Sequence, residues 1–351
     1  MNNKIIRNNE TFFKGLDVDI FILGTNKYGL SLANWLVERN YKFKGFINDY
    51  INDIEFEGYK IYKSTNNNFQ NSHIINCIIE GRIIDAEHNI NSLKPKSHNH
   101  YFDFLKKFPD QLLDIDYLGN EHLLQSKDIE EIKNVLYDNR SKEEYISVLL
   151  FRKNKDINYL SGFKFRINEQ YFEDFITLGS YPAFIDGGGY DGTTSFKFAE
   201  LYPQYSSIYY FEPSDVWFKN SKENLSKLKN ITFFNCGLWN KDSHLKFNNS
   251  LGSASKLDNE GNTFIAVTSI DRVIKERVDY IKLDVEGAEY DTILGARNTI
   301  KKYKPKLAIC VYHNSLDFIR IPRILLSFNS DYKIYFRHYT QGLFESIMYF
   351  V

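Results

Sequence analysis

The sequence predicts an α/β protein with a small Rossmann-like domain at residues 1–93, a helical connector at 94–169 and a larger Rossmann-like domain at 170–351. Three observations carry this prediction. Apolar runs of strand length, such as Val18–Gly24 and Ala183–Asp186, alternate with stretches of helical apolar spacing, the pattern of a parallel sheet covered on both faces. Two glycine turns, Gly24 to Gly29 and Gly187 to Gly192, each separate such a strand from such a helix. At 351 residues and 43% apolar content, the chain is long enough for two separate cores.

In the first domain, Val18–Gly24 reads as a buried strand. Tyr28–Arg39 reads as a helix through Tyr28, Leu32, Trp35 and Leu36, with Tyr41–Asp49 and His73–Ile79 as later strands. The first turn has Asn26 where a dinucleotide fingerprint needs its second glycine, while Asp49 stands where a ribose-binding acid would. That turn suits either a nucleotide or plain helix–strand packing. Residues 94–169 mix charges and aromatics, with helix-like stretches at Asp128–Tyr137 and Lys142–Phe151, and Gln170–Ile176 reads as an amphipathic helix entering the second domain. There, strands are expected at Ala183–Asp186, Ser207–Phe211, Ile231–Asn235, Val278–Leu283 and Pro305–Val311. Asp331–Arg337 and Glu345–Val351 follow as an antiparallel pair around the Gly342 loop.

Composition removes several classes of function. Lys plus Arg total 44 against 45 for Asp plus Glu, so no global field favours nucleic acid or an anionic membrane. Cys77, Cys236 and Cys310 are odd in number and lack C-x-x-C spacing, which argues against a disulfide framework or cysteine zinc site and for a reducing compartment. No stretch approaches the ~20 apolar residues of a membrane span, and a cytoplasmic location is expected. Oligomeric state has no signature in the sequence.

The most informative segment is Phe184–Thr194 followed by Phe211–Glu212–Pro213. Ligands of open parallel sheets lie beyond the carboxyl ends of the strands, which singles out Asp186, Glu212, Cys236, Asp284 and His313. Pyrophosphate recognition asks for G-x-G-x-x-G, whereas here Gly187, Gly188, Gly189 and Gly192 follow an acidic Asp186. A carboxylate repels a pyrophosphate but suits an ammonium or sulfonium group, which favours S-adenosylmethionine over a dinucleotide. Asp186 is expected to orient the methionine end, with helix capping as its plainer role. Gly187, Gly188 and Gly192 would admit a close backbone approach. Glu212, 26 positions after Asp186, would accept the ribose hydroxyls beside Pro213. Cys236 and Gly237 could flank the adenine, although Cys236 equally suits a small buried apolar position.

Attack of an alcohol on a sulfonium methyl requires loss of the hydroxyl proton, so a base is expected nearby. His313 ends the fifth strand and is the expected general base. Asp284 and Glu286, at the end of the fourth strand with Glu289 close behind, would touch the acceptor or cap the next helix. His338, ending the sixth strand, is expected to touch substrate or support the site. Asp284, Glu286 and a histidine could also hold a divalent ion, but nothing in their spacing requires a metal and none is favoured. Ser250–Lys256 reads as a lid or an exposed linker.

At Asp186–Thr194, Glu212–Pro213, Asn235–Leu238, Ile281–Glu289 and Arg337–Tyr339 the chain resembles the FkbM family of S-adenosylmethionine-dependent O-methyltransferases, over roughly residues 170–351. The resemblance implies a seven-stranded methyltransferase sheet with a reversed last strand. It also implies methylation of a hydroxyl, commonly on sugars or polyketide-type products, and hence a sugar or nucleotide-sugar acceptor in surface polysaccharide biosynthesis. Members often carry alanine where this chain has Gly189, a change expected to loosen the turn. Up to about residue 90, Ile22–Gly24 and Gly45–Asp49 more weakly resemble the nucleotide-sugar-binding half of bacterial glycan acetyltransferases. Two other functions compete. An NAD-dependent nucleotide-sugar oxidoreductase is disfavoured by the missing middle glycine and the lack of an accompanying Y-x-x-x-K pair. A non-catalytic nucleotide-sugar-binding protein would bind no S-adenosylmethionine.

Overall fold

The computed structural model describes residues 18–248, 256–257 and 263–351. They form two compact units whose segments interleave along the chain. The first comprises residues to Leu118, Ile146–Arg166 and Tyr339–Phe344, and the second Gly119–Tyr145, Ile167–His338 and Glu345–Val351.

The first unit is built on strands β1 (Asp19–Leu23), β2 (Phe43–Ile47), β3 (Glu55–Phe56), β4 (Tyr59–Tyr62), β5 (Ser72–Asn76) and β6 (Ser97–His100), in the order β3-β4-β2-β1-β5-β6. All pairings are parallel except that of β3 with β4. Helix α1 (Lys27–Glu38) follows the first turn, and α2 (Ile83–Leu93) and α3 (Tyr101–Lys107) come later. Ile22, Leu32, Leu36, Phe46, Ile75 and Phe102 are buried together, which is why β1 is apolar from Ile20 to Leu23 and β5 carries Ile74 and Ile75 at its centre. The stretch expected to be a helical connector also supplies β6, whose Ser-His-Asn-His sequence has no apolar side chain. Its remaining helices are α4 (Ser126–Val135) and α5 (Asn139–Asn154).

The second unit contains β7 (Ala183–Gly187), α6 (Thr193–Leu201), β8 (Ser207–Phe211), α7 (Asp215–Asn224) and β9 (Ile231–Phe234). The short strands β10 (Gly237–Leu238), β11 (Ser243–Asn248), β12 (Lys256–Leu257) and β13 (Thr263–Thr268) follow. After α8 (Ile270–Val273) come β14 (Tyr280–Leu283), α9 (Glu289–Leu294), α10 (Arg297–Tyr303), β15 (Lys306–Cys310), α11 (Asp317–Phe328), β16 (Ile334–His338) and β17 (Ser346–Phe350). Seven strands form one sheet in the order β16-β17-β15-β14-β7-β8-β9. Its core strands are parallel, and β17 runs antiparallel to both β15 and β16, as the final pair of apolar runs predicts. Phe184 at the sheet centre lies between Phe198 of α6, with centroids 4.4 Å apart, and Tyr280 of β14, at 5.4 Å. Strands β10 to β13 make a separate four-stranded sheet that the sequence pattern does not announce. The expected lid, Ser250–Lys256, lies outside the described residues apart from Lys256. Gln170–Ile176 is not a helix: Tyr171 sits at φ 69°, and its backbone N–H donates to the Tyr349 hydroxyl at 3.1 Å.

Candidate active site

Parallel pairing puts the carboxyl ends of β8, β7, β14 and β15 side by side, so the candidate residues meet at one edge of the second unit. The turn after β7 is fixed first. The N–H groups of Gly188 and Gly189 both donate to the Phe211 carbonyl, at 3.1 and 2.9 Å. Gly188 has φ 72°, and a Cβ there would lie 1.8 Å from the Asp284 carbonyl oxygen, so only glycine fits. Gly189 is required for another reason. A Cβ would come within 2.0 Å of the Tyr210 ring, whose hydroxyl donates to the Tyr190 carbonyl at 2.6 Å. The glycine expected to loosen the turn is thus the residue that lets Tyr210 brace it. Gly192, at φ 87°, is the N-cap of α6 and packs against Leu225.

Asp186 is wholly buried and faces inward. Its carboxylate accepts from the Ser195 hydroxyl at 2.7 Å and pairs with Lys282 Nζ at 3.2 Å, its register partner on β14. Lys282 Nζ also donates to the carbonyls of Gly187 and Gly188, at 3.2 and 2.5 Å. The carboxylate expected to meet the methionine end of a cofactor therefore neutralises a buried lysine that ties down the turn, because a buried charge needs a partner. It does not cap α6.

Glu212 sits where the sequence places it, just past β8. Its carboxylate accepts from Tyr190 N–H at 3.0 Å and from Ser214 N–H at 2.8 Å, one bond to each oxygen. Each oxygen has a further lone pair for a diol. Burial raises its pKa, opposed by those two backbone donors. Tyr190 packs on Trp217 with centroids 4.0 Å apart, making an aromatic wall beside the carboxylate. Gly237 faces Pro213, whose Cβ would be 3.9 Å from an added Cβ. Cys236 is half-buried, and burial pushes its thiol up to about 11, so it stays neutral.

The acids and the histidine form the second half of the site. Asp284, Glu286 and His313 place one ligand atom each within 4.8 Å of one another. His313 Nε2 is 3.2 Å from Glu286 Oε2 and 3.6 Å from Asp284 Oδ1, while Nδ1 is 2.8 Å from Glu289 Oε1. Glu289 is wholly buried and also accepts from Val285 N–H at 2.9 Å and Gly287 N–H at 3.0 Å. One carboxylate thus shapes the 284–288 turn, with its left-handed Glu286 and Gly287, and aims the imidazole. The Tyr171 hydroxyl donates to Asp284 Oδ2 at 2.8 Å and the Tyr312 hydroxyl to Oδ1 at 3.4 Å.

Charge around His313 decides its protonation. Burial alone would lower its pKa, but Glu289 and Glu286 outweigh it and hold the group well above its usual value. Burial would raise Asp284, yet Lys282, His313 and the Tyr171 hydroxyl keep it below the ordinary carboxylate range. Glu345, at the head of β17, is pushed up to about 7 by burial and by Asp284. His313, the residue expected to be the general base, is thus surrounded by carboxylates that favour its protonated form. The side chains of Asp284 and Glu286 keep 22% and 20% of their surface, against none for His313, so an acceptor would meet the carboxylates.

His338 does not join this group. It lies on the outermost strand, wholly buried, with Nδ1 2.9 Å from Ser346 Oγ and its N–H donating to Glu144 at 2.8 Å. A strand-end position is not enough when the strand is remote in sheet order. Sequence reasoning passed over Lys282, Tyr171 and Tyr312. Only Lys282 carried a signal, since a lysine inside an apolar strand calls for a buried acid on its neighbour.

The sequence profile of the methyltransferase FkbM domain matches residues 186–340. Among solved structures, the crystal structure of methyltransferase FkbM from Methylobacillus flagellatus KT is 21% identical with a TM-score of 0.75, covering 95% of this chain and 90% of that one. At that identity the likeness is one of fold. Two further matches are the precorrin-6y C5,15-methyltransferase of Geobacter metallireducens GS-15 (15% identity, TM-score 0.31, 49% of this chain and 80% of that one) and Aeropyrum pernix fibrillarin with natively bound S-adenosyl-L-methionine (12%, 0.31, 50% and 67%). No curated protein sequence matches the chain. Among the described residues no helix is long and apolar enough to cross a membrane. The chain therefore carries a methyltransferase FkbM domain, of the family that its glycine turn and its Lys282–Glu289 string resemble.

Proposed function

We propose that the protein transfers a methyl group from S-adenosylmethionine to a hydroxyl of a sugar or nucleotide-linked sugar, in surface polysaccharide biosynthesis in the cytoplasm. The observation that carries this reading is the contact between the two halves of the site. The Asp284 carbonyl lies against Gly188, so the glycine turn and the acid–histidine cluster share one edge of the sheet.

The residues fit the cofactor. Glu212 offers free lone pairs for a ribose diol, Tyr190 and Trp217 wall that carboxylate, and Gly187, Gly188, Gly189 and Gly192 present backbone without side chains. Pro213, Cys236 and Gly237 would flank the base. When bound, S-adenosylmethionine supplies an electrophilic methyl on a sulfonium. The chain's own part is to orient the acceptor and move its proton. The partly exposed carboxylates of Asp284 and Glu286 accept hydrogen bonds from the acceptor and Glu286 takes the hydroxyl proton, while His313 provides the opposite charge. The adjoining Tyr171, Tyr312 and Glu345 add hydrogen-bonding groups, which suits a polyhydroxylated acceptor better than an apolar one.

Incubation of the full chain with methyl-labelled S-adenosylmethionine and a panel of nucleotide sugars and oligosaccharides tests the reading. Label is expected in an ether-linked methyl of a sugar. Label found only on nitrogen, sulfur or carbon acceptors would contradict it.

A further inference from the structure

The structure assigns to Asp284, Glu286 and His313 a divalent-cation site, of the kind that takes manganese or magnesium. This deepens the reading above and rests on the same cluster. The three side chains bring one ligand atom each within 4.8 Å of one another, close enough for a single ion to draw them together. Ligands at right angles around an ion with bonds of about 2.1–2.3 Å lie about 3.0–3.3 Å apart. His313 Nε2 stands 3.2 Å from Glu286 Oε2 and 3.6 Å from Asp284 Oδ1. Such a triad leaves its opposite positions open, where water or an acceptor hydroxyl could bind.

The imidazole is also prepared for the task. His313 has no exposed side-chain surface and aims Nε2 between the two carboxylates. Glu289 fixes that aim from behind, 2.8 Å from Nδ1, and is itself held by two backbone N–H groups. A histidine that ligates a metal almost always donates its other ring N–H to such a carboxylate. With Nδ1 directed at Glu289, Nε2 points at two carboxylates, where a divalent cation would take the place of the proton shared between them. Tyr171, donating to Asp284 Oδ2 at 2.8 Å, leaves Oδ1 turned to the histidine. One imidazole with two carboxylates favours manganese, since magnesium prefers oxygen ligands alone.

Titration of Mn²⁺ into the chelator-treated full chain, followed by the loss of the free-ion electron paramagnetic resonance signal, tests the assignment. One site per chain is expected, competed by Mg²⁺ and weakened at least about tenfold in Glu286→Gln, whose partly exposed side chain makes misfolding a minor concern. Asp284→Asn is expected to behave likewise. A wild-type chain that binds no Mn²⁺, or a site unaffected by both substitutions, would overturn the assignment. S-adenosylmethionine binding is measured on the same sample. If that ligand binds and Mn²⁺ does not, the cation site fails and the methyltransferase reading stands; the reverse result separates them the other way.

Discussion

The two units open with the same device, a strand, a glycine turn and a helix, yet finish it differently. In the first, Asn26 fills the turn: its side-chain oxygen accepts from Tyr28 and Gly29 N–H at 3.0 and 2.9 Å, and its amide donates to the Cys77 carbonyl at 2.8 Å. The helix N-terminus that a phosphate would use is capped by the chain itself. Asp49, placed like a ribose acid, accepts from both the N–H and the hydroxyl of Ser64. Gly29 serves close packing, since a Cβ would lie 2.5 Å from the Gly24 carbonyl. In the second unit the turn is braced from beneath, by Lys282, Asp186 and Tyr210, and Glu212 keeps acceptor capacity at the strand end. Sharing a fold does not mean sharing a ligand site: what separates the units is whether side chains close the turn or support it.

Buried histidines show the same contrast. His73, in β5, has Nδ1 2.7 Å from Ser97 Oγ, and burial, with a smaller contribution from His98, lowers it to about 3. His313, ringed by carboxylates, is raised. The same side chain, buried in both places, is pushed in opposite directions by what surrounds it.

The largest expected effect is that of Gly188→Ala. With φ 72° and a Cβ 1.8 Å from the Asp284 carbonyl, the substitution should cost about 3 kcal/mol or more in chemical denaturation and abolish S-adenosylmethionine binding. Wild-type stability and binding would show that the turn is not held against Asp284. Next comes acid. Unfolded His73 takes up a proton near 6.5 but the folded one only near 3, so the unfolded state binds more protons between these values and stability falls as pH drops through that window. Melting temperatures of His73→Gln should decline less steeply from pH 6.5 downward than those of the wild type, and identical slopes would remove the histidine from the account. Smallest is Asn26→Ala, which should cost about 1 kcal/mol as a lost helix cap and leave S-adenosylmethionine affinity unchanged. A tenfold loss of that affinity would mean the first turn also binds it.

Much of this architecture is legible in the sequence because buried parallel strands are continuous apolar runs. Ser207–Phe211 is predicted to the residue, and the strands beginning at Ala183 and Ile231 differ by one at their ends. Where tertiary contacts override local pattern, the reading fails. Gln170–Ile176 has helical spacing, but Phe175 stacks on Tyr335 at 4.1 Å and the Tyr280 hydroxyl holds the Tyr171 carbonyl, which pins the segment in irregular form. Strand β6 is polar yet buried, made possible by partners such as Glu87, 3.3 Å from His98 Nε2, that no periodicity reveals. Within the site, Asp284, Glu286 and His313 could be named from strand ends alone. The alignment of His313 by Glu289 could not, since it depends on left-handed residues at 286 and 287 bringing a helix-start carboxylate back under the histidine.

The central claim, that the second turn and not the first takes the cofactor, rests most directly on Glu212. Calorimetric titration of S-adenosylmethionine into the full chain and into Glu212→Ala, with folding checked by circular dichroism, should show one site whose affinity falls about 10- to 100-fold in the variant, as expected for hydrogen bonds to a charged group. No binding to the wild type, or equal affinity in the two, would contradict it.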